Sequence, residues 1–330
     1  TTKPTLQPGV FTRAEIFSQP DVWAGALRSL LQQAVSLRQF FENGAYNGVL
    51  FTGCGSTYYL SIAAAAVFQS QTGIPARGLP ASEIWLDPAA AYSAQQKNLL
   101  IAVSRSGATT ETIRAVEAFH QRGHGEVLTL SCYPDAPLAK MGDLNLLFTG
   151  AQEVSVAQTR AFSTLYAAAA ALAFIFTGDS DGLAQMSRLQ SAGKKLLETY
   201  SPLAAGLGRN PAFERFYFLG SGARYGLASE VSLKMKEMSL SHSEPFHFME
   251  FRHGPMSMVN EHTLLVGLVS DARREQEVQV LREMKARGAT VLSLADHDAD
   301  VAFDCDIAED ARGVLYLPIL QLLAFEHALS

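Results

Sequence analysis

Hydrophobic and polar positions along this chain switch repeatedly between two periods. Gly48 to Thr52 is a short apolar run of β-formers that stops at Gly53-Cys54-Gly55, and Leu60 to Gln69 follows as an alanine-rich helix. Asn98 to Val103 repeats the buried-strand pattern and ends at Ser104-Arg105-Ser106-Gly107. Thr109 to Arg122 then carries Ile113, Val116 and Phe119 at helical spacing. Val127 to Ser131 and Leu144 to Thr149 complete a first round of strands. A second round begins near Phe213, with strands at Phe216 to Leu219, Thr263 to Val269 and Thr290 to Ala295, and helices at Gly226 to Ser239 and Glu275 to Arg287. Strand–helix–strand order of this kind predicts an α/β fold with mainly parallel sheets covered by helices on both faces.

The two rounds read as copies. Sliding the chain by 167 positions lays Gly53 on Gly220, Gly55 on Gly222 and Glu83 on Glu250 without a gap. The predicted organisation is a helical lead-in over residues 1–45, a first unit over 46–180, a helical linker over 181–208 and a second unit over 209–330. A hinge is expected at Gly178 to Gly182. The uncharged apolar run Leu165 to Phe176 is shorter than the roughly 20 residues that cross a bilayer, so it reads as a buried helix.

Composition narrows the function classes. With 48% apolar and 18% charged residues, the chain can bury sizeable cores and is not a disordered one. Its net charge is −6, and no basic run exceeds a pair, so a nucleic-acid partner is not expected. Three scattered cysteines, Cys54, Cys132 and Cys305, argue against both a disulfide framework and a structural zinc site. Thr1 to Gly9 lacks a basic stretch followed by an apolar one, so no secretory signal is expected and a cytoplasmic location is.

Candidate chemistry collects at strand ends. In Gly53-Cys54-Gly55-Ser56-Thr57-Tyr58 a tyrosine occupies the third glycine position of the dinucleotide fingerprint, so no nicotinamide or flavin cofactor is expected. Ser104-Arg105-Ser106-Gly107-Ala108-Thr109-Thr110 places four hydroxyls, an arginine and a glycine at one helix start. One N-cap would use one hydroxyl, whereas four in seven residues suit a phosphate cradle. Lys234 and Glu237 lie three apart on one helical face, either as a surface ion pair or as a functional one, and Glu230 lies four before Lys234. His242 to Pro255 follows with three histidines, two glutamates and an arginine, and fits an ordered loop lining a site. Metal binding is not expected: His242 and His247 are separated by five with Pro245 between them, and His120 and His124 have no third ligand nearby.

These residues resemble the sugar isomerase (SIS) domain superfamily, and within it the tandem-SIS isomerase half of glutamine–fructose-6-phosphate amidotransferase. The resemblance runs from Ala14-Glu15-Ile16 to Leu322-Leu323-Ala324. It is most specific in Gly53-Cys54-Gly55-Ser56-Thr57, Ser104-Arg105-Ser106-Gly107, Val156-Ala157-Gln158-Thr159-Arg160, Leu233-Lys234-Met235-Lys236-Glu237 and Arg252-His253-Gly254-Pro255. It implies two flavodoxin-like α/β/α sandwiches. It further implies that Ser56, Thr57, Ser104, Ser106 and Thr109, beside Arg105, hold a sugar phosphate, and that Val156 and Ala157 line the sugar. Glu237 would move a proton between C1 and C2, with Lys234 beside it, and His253 would assist ring opening in the neighbouring subunit's site of a homodimer. Arg105 stands where the amidotransferase has Gln, and Gln158 where it has Ser. A glutaminase domain, found in that family, is not expected here, and the family's lysine-bearing tail either lies beyond Ser330 or is dispensed with in this branch. The activity implied is deamination of glucosamine 6-phosphate to fructose 6-phosphate, with an aldose–ketose isomerase, a fructosamine-6-phosphate deglycase or a phosphosugar sensor as alternatives.

Overall fold

The computed structural model describes residues 7–93, 95–122 and 125–330; His124 lies outside them. Two five-stranded sheets, each flanked by helices, form the framework. The first contains β1 (Gly48–Gly53), β2 (Ala76–Pro80), β3 (Asn98–Ser104), β4 (Val127–Ser131) and β5 (Leu144–Leu147), in the order β2-β1-β3-β4-β5. The second contains β6 (Arg215–Leu219), β7 (His242–Phe246), β8 (Thr263–Leu268), β9 (Thr290–Ala295) and β10 (Val301–Ala302), in the order β10-β9-β8-β6-β7. Counted within its own unit, each sheet has the flavodoxin-like order 2-1-3-4-5, and every strand pair is parallel. All residues of β1, β3 and β8 are buried, as central parallel strands covered on both faces must be.

The 167-residue repeat is a conformational one. Gly55 adopts φ 55°, ψ −121° and Gly222 adopts φ 60°, ψ −133°, a backbone shape that a side chain at either position would strain. Each opens a helix, Ser56–Thr72 in the first unit and Ala223–Ser239 in the second. Three edge strands escape the periodicity, β2, β7 and the two-residue β10. Within the segment 242–255, expected as a loop, residues 242–246 instead form β7, and Phe248–Phe251 form a helical turn. Pro245 is compatible with that strand because β7 lies at the sheet edge, where a missing N–H breaks no central ladder. β2, which ends in Pro80, occupies the equivalent edge of the first sheet.

The helix Arg160–Thr177 contains the uncharged run, and Ala161 to Phe176 are all buried inside the protein. It packs between the helices Val10–Gln32 and Ser56–Thr72. The region read as a linker forms two helices, Ser180–Met186 and Leu189–Gly208, and the second packs along Leu317–Ala328. One cluster of buried apolar side chains, from Ile16 through Phe162 and Val231 to Phe325, continues through both units.

The two units meet where the Ser56 and Ala223 helices cross. A Cβ at Gly226 would lie 2.5 Å from the Tyr59 carbonyl oxygen and 2.6 Å from the Ala63 nitrogen, so the crossing requires a bare backbone. Gly226→Val should therefore lower unfolding stability in a urea titration by about 2 kcal/mol or more. Gly25→Ala, in the Val10–Gln32 helix with nothing within 4 Å of the added methyl, should raise it by about 0.5–1 kcal/mol.

Candidate functional site

In each sheet the order of strand addition reverses between the first and third strands of the unit, so the connections leaving their carboxyl ends run to opposite faces and leave a crevice there. In the first unit these loops are the Gly53–Ser56 turn after β1 and the Ser104–Thr109 turn after β3. Cys54 Sγ lies 3.6 Å from Thr112 Oγ1, which ties the first turn to the helix Thr110–Arg122 that follows the second. The Thr57 hydroxyl accepts from the Cys54 N–H at 2.9 Å and donates to the Cys54 carbonyl at 3.0 Å, tightening the first turn. Ser104 Oγ accepts from the Gly107 N–H at 3.1 Å and meets Thr109 Oγ1 at 2.9 Å, while Ser106 Oγ accepts from the Ala108 N–H at 3.2 Å. Gly107 takes φ 63° inside that turn. The five predicted hydroxyls thus stand on two adjacent turns, both opening into helices whose first N–H groups favour an anion.

Ser56 connects this turn to the second unit. Its Oγ accepts from Lys234 Nζ at 3.1 Å, and the same ammonium is hydrogen-bonded to Glu237 Oε2 and lies 3.3 Å from Glu230 Oε1. Glu230, Lys234 and Glu237 follow one another along one face of the Ala223–Ser239 helix, at i, i+4 and i+7. Their exposure is graded: Glu230 and Lys234 are completely buried, whereas the Glu237 side chain is 40% exposed. The pair is therefore no surface ion pair, because the helix crossing seals its inner end. Burial pushes the Glu230 carboxyl up to about 7, with Lys234 opposing the shift and Glu237 reinforcing it. Glu230 was visible in the sequence only as a helical neighbour of Lys234; its burial depends on contacts with the other unit.

The remaining predicted residues divide. Val156 and Ala157 stand on the irregular segment before the Arg160 helix, Val156 almost fully exposed and Ala157 half-buried. Arg105 turns toward this segment: its Nη1 donates to the Ser155 and Val156 carbonyls at 3.1 and 3.0 Å, and lies 3.4 Å from Glu153. His253 is exposed, and among the described residues its ring makes no hydrogen bond with Lys234 or Glu237. His247, from the same segment, stacks on Tyr225 at 3.9 Å, and burial lowers its pKa. Asp296, His297 and Asp306 bring possible metal-ligand atoms within 4.8 Å of one another, outside the predicted site. There His297 lies between Asp304 and Asp296, whose carboxylates raise its pKa. A cavity of about 760 Å³ beside the Arg274–Ala286 helix contains none of the predicted residues.

The second unit has filled its equivalent crevice. Arg224 stands where the repeat places Thr57, 5% exposed, with its guanidinium paired to Glu309 and 3.8 Å from Glu277. Arg312, 1% exposed, pairs with Asp271 after β8. Buried side chains occupy the place that hydroxyls line in the first unit.

Comparison with known families matches the SIS domain over residues 47–175 and 213–318. The chain belongs to the SIS domain family. It is 27% identical over 344 residues to glutamine–fructose-6-phosphate aminotransferase (isomerizing) of Xanthomonas campestris, covering 97% of this chain and 56% of that protein. It is 28% identical over 310 residues to the Bordetella pertussis protein of the same name, covering 88% and 50%. This SIS chain thus spans about half the length of the curated relatives it matches. Among solved structures, glucosamine-6-phosphate deaminase from Thermotoga maritima superposes with a TM-score of 0.76 at 26% identity, over 92% of this chain and 94% of that one. Tagatose-6-phosphate ketose/aldose isomerase from Escherichia coli has the same fold, with a TM-score of 0.87 at 22% identity over 97% and 93%.

Glu230 makes folding sensitive to pH. Between about 4.5 and about 7 the folded chain holds a proton that the unfolded chain has released. Its contribution to stability is complete below that window and lost as pH rises through it. Urea titrations across the window should show this decline in the wild type and a flatter profile in Glu230→Gln.

Proposed function

We propose that this chain is a phosphosugar isomerase of the SIS type that acts on an amino-sugar 6-phosphate, converting glucosamine 6-phosphate to fructose 6-phosphate and ammonia. The observation that carries the proposal is the Ser56–Lys234–Glu237 chain of hydrogen bonds, which joins the hydroxyl-lined turns of one unit to a half-exposed carboxylate of the other. Similarity to the Thermotoga maritima deaminase along nearly the whole of both chains supports the amino-sugar reading.

In the proposed reaction the phosphate rests on the turns of Ser56, Thr57, Ser104, Ser106 and Thr109, far enough from C1 and C2 that its binding energy serves to position the reacting carbons. The Glu237 carboxylate removes the C2 proton of the open-chain sugar as O1 takes up a proton, giving an enolamine, and returns the carbon-derived proton to C1 as the nitrogen gives up one of its own. Water then adds to the resulting C2 imine, and ammonia leaves. A carboxylate suits this shuttle because it exchanges one proton between adjacent carbons without moving. Lys234, fully buried, orients that carboxylate. His253, exposed and apart from the pair within its own chain, acts on ring opening in the site of a second subunit. No cofactor enters this scheme.

The first test follows ammonia and fructose 6-phosphate released from glucosamine 6-phosphate. Equal yields are expected, and Glu237→Gln should lower turnover at least 100-fold, on the order expected for loss of a general base, while retaining phosphosugar binding. Thermal stabilisation by glucosamine 6-phosphate without ammonia release would redirect the proposal to ketose–aldose exchange or deglycation. A second test addresses the subunit arrangement. Mixing Glu237→Gln with His253→Ala chains should restore about a quarter of wild-type activity per chain if each site takes its histidine from the partner. No restoration would sink that arrangement.

A further inference from the structure

Glu15, on the amino-terminal helix, has no place in the scheme above, yet its carboxylate is 4% exposed and aimed at the sugar-side segment. Glu15 Oε1 accepts from the Val154 N–H at 2.6 Å and the Ser155 N–H at 3.3 Å. Its Oε2 is buried without a hydrogen-bond partner. From the opposite side Arg105 Nη1 donates to the Ser155 and Val156 carbonyls. Glu153, fully buried in its side chain, links the same arginine to Thr159, whose N–H and hydroxyl donate to Glu153 Oε1 at 2.9 and 2.8 Å. Thr12 Oγ1 meets Ser155 Oγ at 2.8 Å. In a segment with no regular structure, the Val154 and Ser155 N–H groups are thus held from one helix, and the Ser155 and Val156 carbonyls from the phosphate turn. Burying a carboxyl group with one oxygen unpartnered and the other shared by two amide N–H groups costs stability, and what it obtains in return is a fixed backbone.

We infer that Glu15 and Arg105 are positioning residues, two jaws of a clamp that fixes residues 153–157 against the phosphate turn and so sets the wall the sugar meets. Arg105 acts through carbonyls rather than as a phosphate ligand. The clamp explains how Val156 is kept projecting although it is 91% exposed: the loop cannot fold it inward without breaking bonds to both jaws. This inference rests on the phosphosugar reading for its kinetic consequence, but its structural half is independent of that reading.

The experiment compares Glu15→Ala, Glu15→Gln, Arg105→Met and Arg105→Lys with the wild type by amide hydrogen exchange, steady-state kinetics on glucosamine 6-phosphate and competition by inorganic phosphate. Exchange over 153–157 should rise about ten-fold or more in Glu15→Ala and Arg105→Met while the β-strands stay protected. The same variants should lose about 10–100-fold in kcat with unchanged inhibition by inorganic phosphate. Glu15→Gln, which keeps an acceptor oxygen, should recover much of both. Weakened phosphate inhibition in Arg105→Met with unchanged exchange would make Arg105 a phosphate ligand and overturn the clamp. Unchanged exchange in Glu15→Ala would overturn it equally. A wild type inert toward every phosphosugar would overturn the functional reading instead, leaving exchange to decide the clamp.

Discussion

A single buried ammonium organises this protein. Lys234 is removed from water completely, and a lone charge in that position would be prohibitively costly. The cost is met by three oxygens: Ser56 from the first unit and Glu230 and Glu237 from its own helix. Two carboxylates around one cation leave a surplus of negative charge, and it is settled by position. Glu230, sealed at the helix crossing, takes up a proton near neutrality, while Glu237 at the open end meets solvent. The glycine at 226, the hydroxyl at 56 and the i, i+4, i+7 spacing all serve this one arrangement.

The internal repeat makes the asymmetry between the units informative. Both units build the same sheet order and the same strained glycine after the first strand, so both inherit a crevice at the reversal point. In the first unit that crevice is lined with hydroxyls and short turns. In the second, Arg224 and Arg312 fill it with guanidinium groups paired to Glu309, Glu277 and Asp271. With its crevice neutralised internally, the second unit contributes a helix instead of a pocket.

Much of this was readable in the linear chain. The central strands announced themselves through uninterrupted apolar runs, and the repeat through paired glycines. Lys234 and Glu237 were legible as one helical face. What spacing could not reveal was which faces are pressed together: Glu230 differs from an ordinary surface glutamate only because a second helix crosses at Gly226, and that contact joins positions some 167 residues apart. β2 and β7 stayed hidden because edge strands tolerate Pro80, Pro245, Arg77 and Glu244, which blur the pattern of a buried strand. Arg105 looked like a charge awaiting an anion. Its nearest partners are carbonyls some 50 residues along the chain, and no local rule connects them.

The stripe of Glu230, Lys234 and Glu237 also works as a ruler. Seven residues of helix span about 10 Å, the distance from the sealed crossing to the open end. Exchanging one side chain on this stripe alters a single graduation of that scale. Inserting or deleting one residue between Gly226 and Glu230 would instead rotate every later side chain by about 100° around the axis and remove the whole scale from Ser56. Among its possible changes, then, this helix has room in its composition and none in its length.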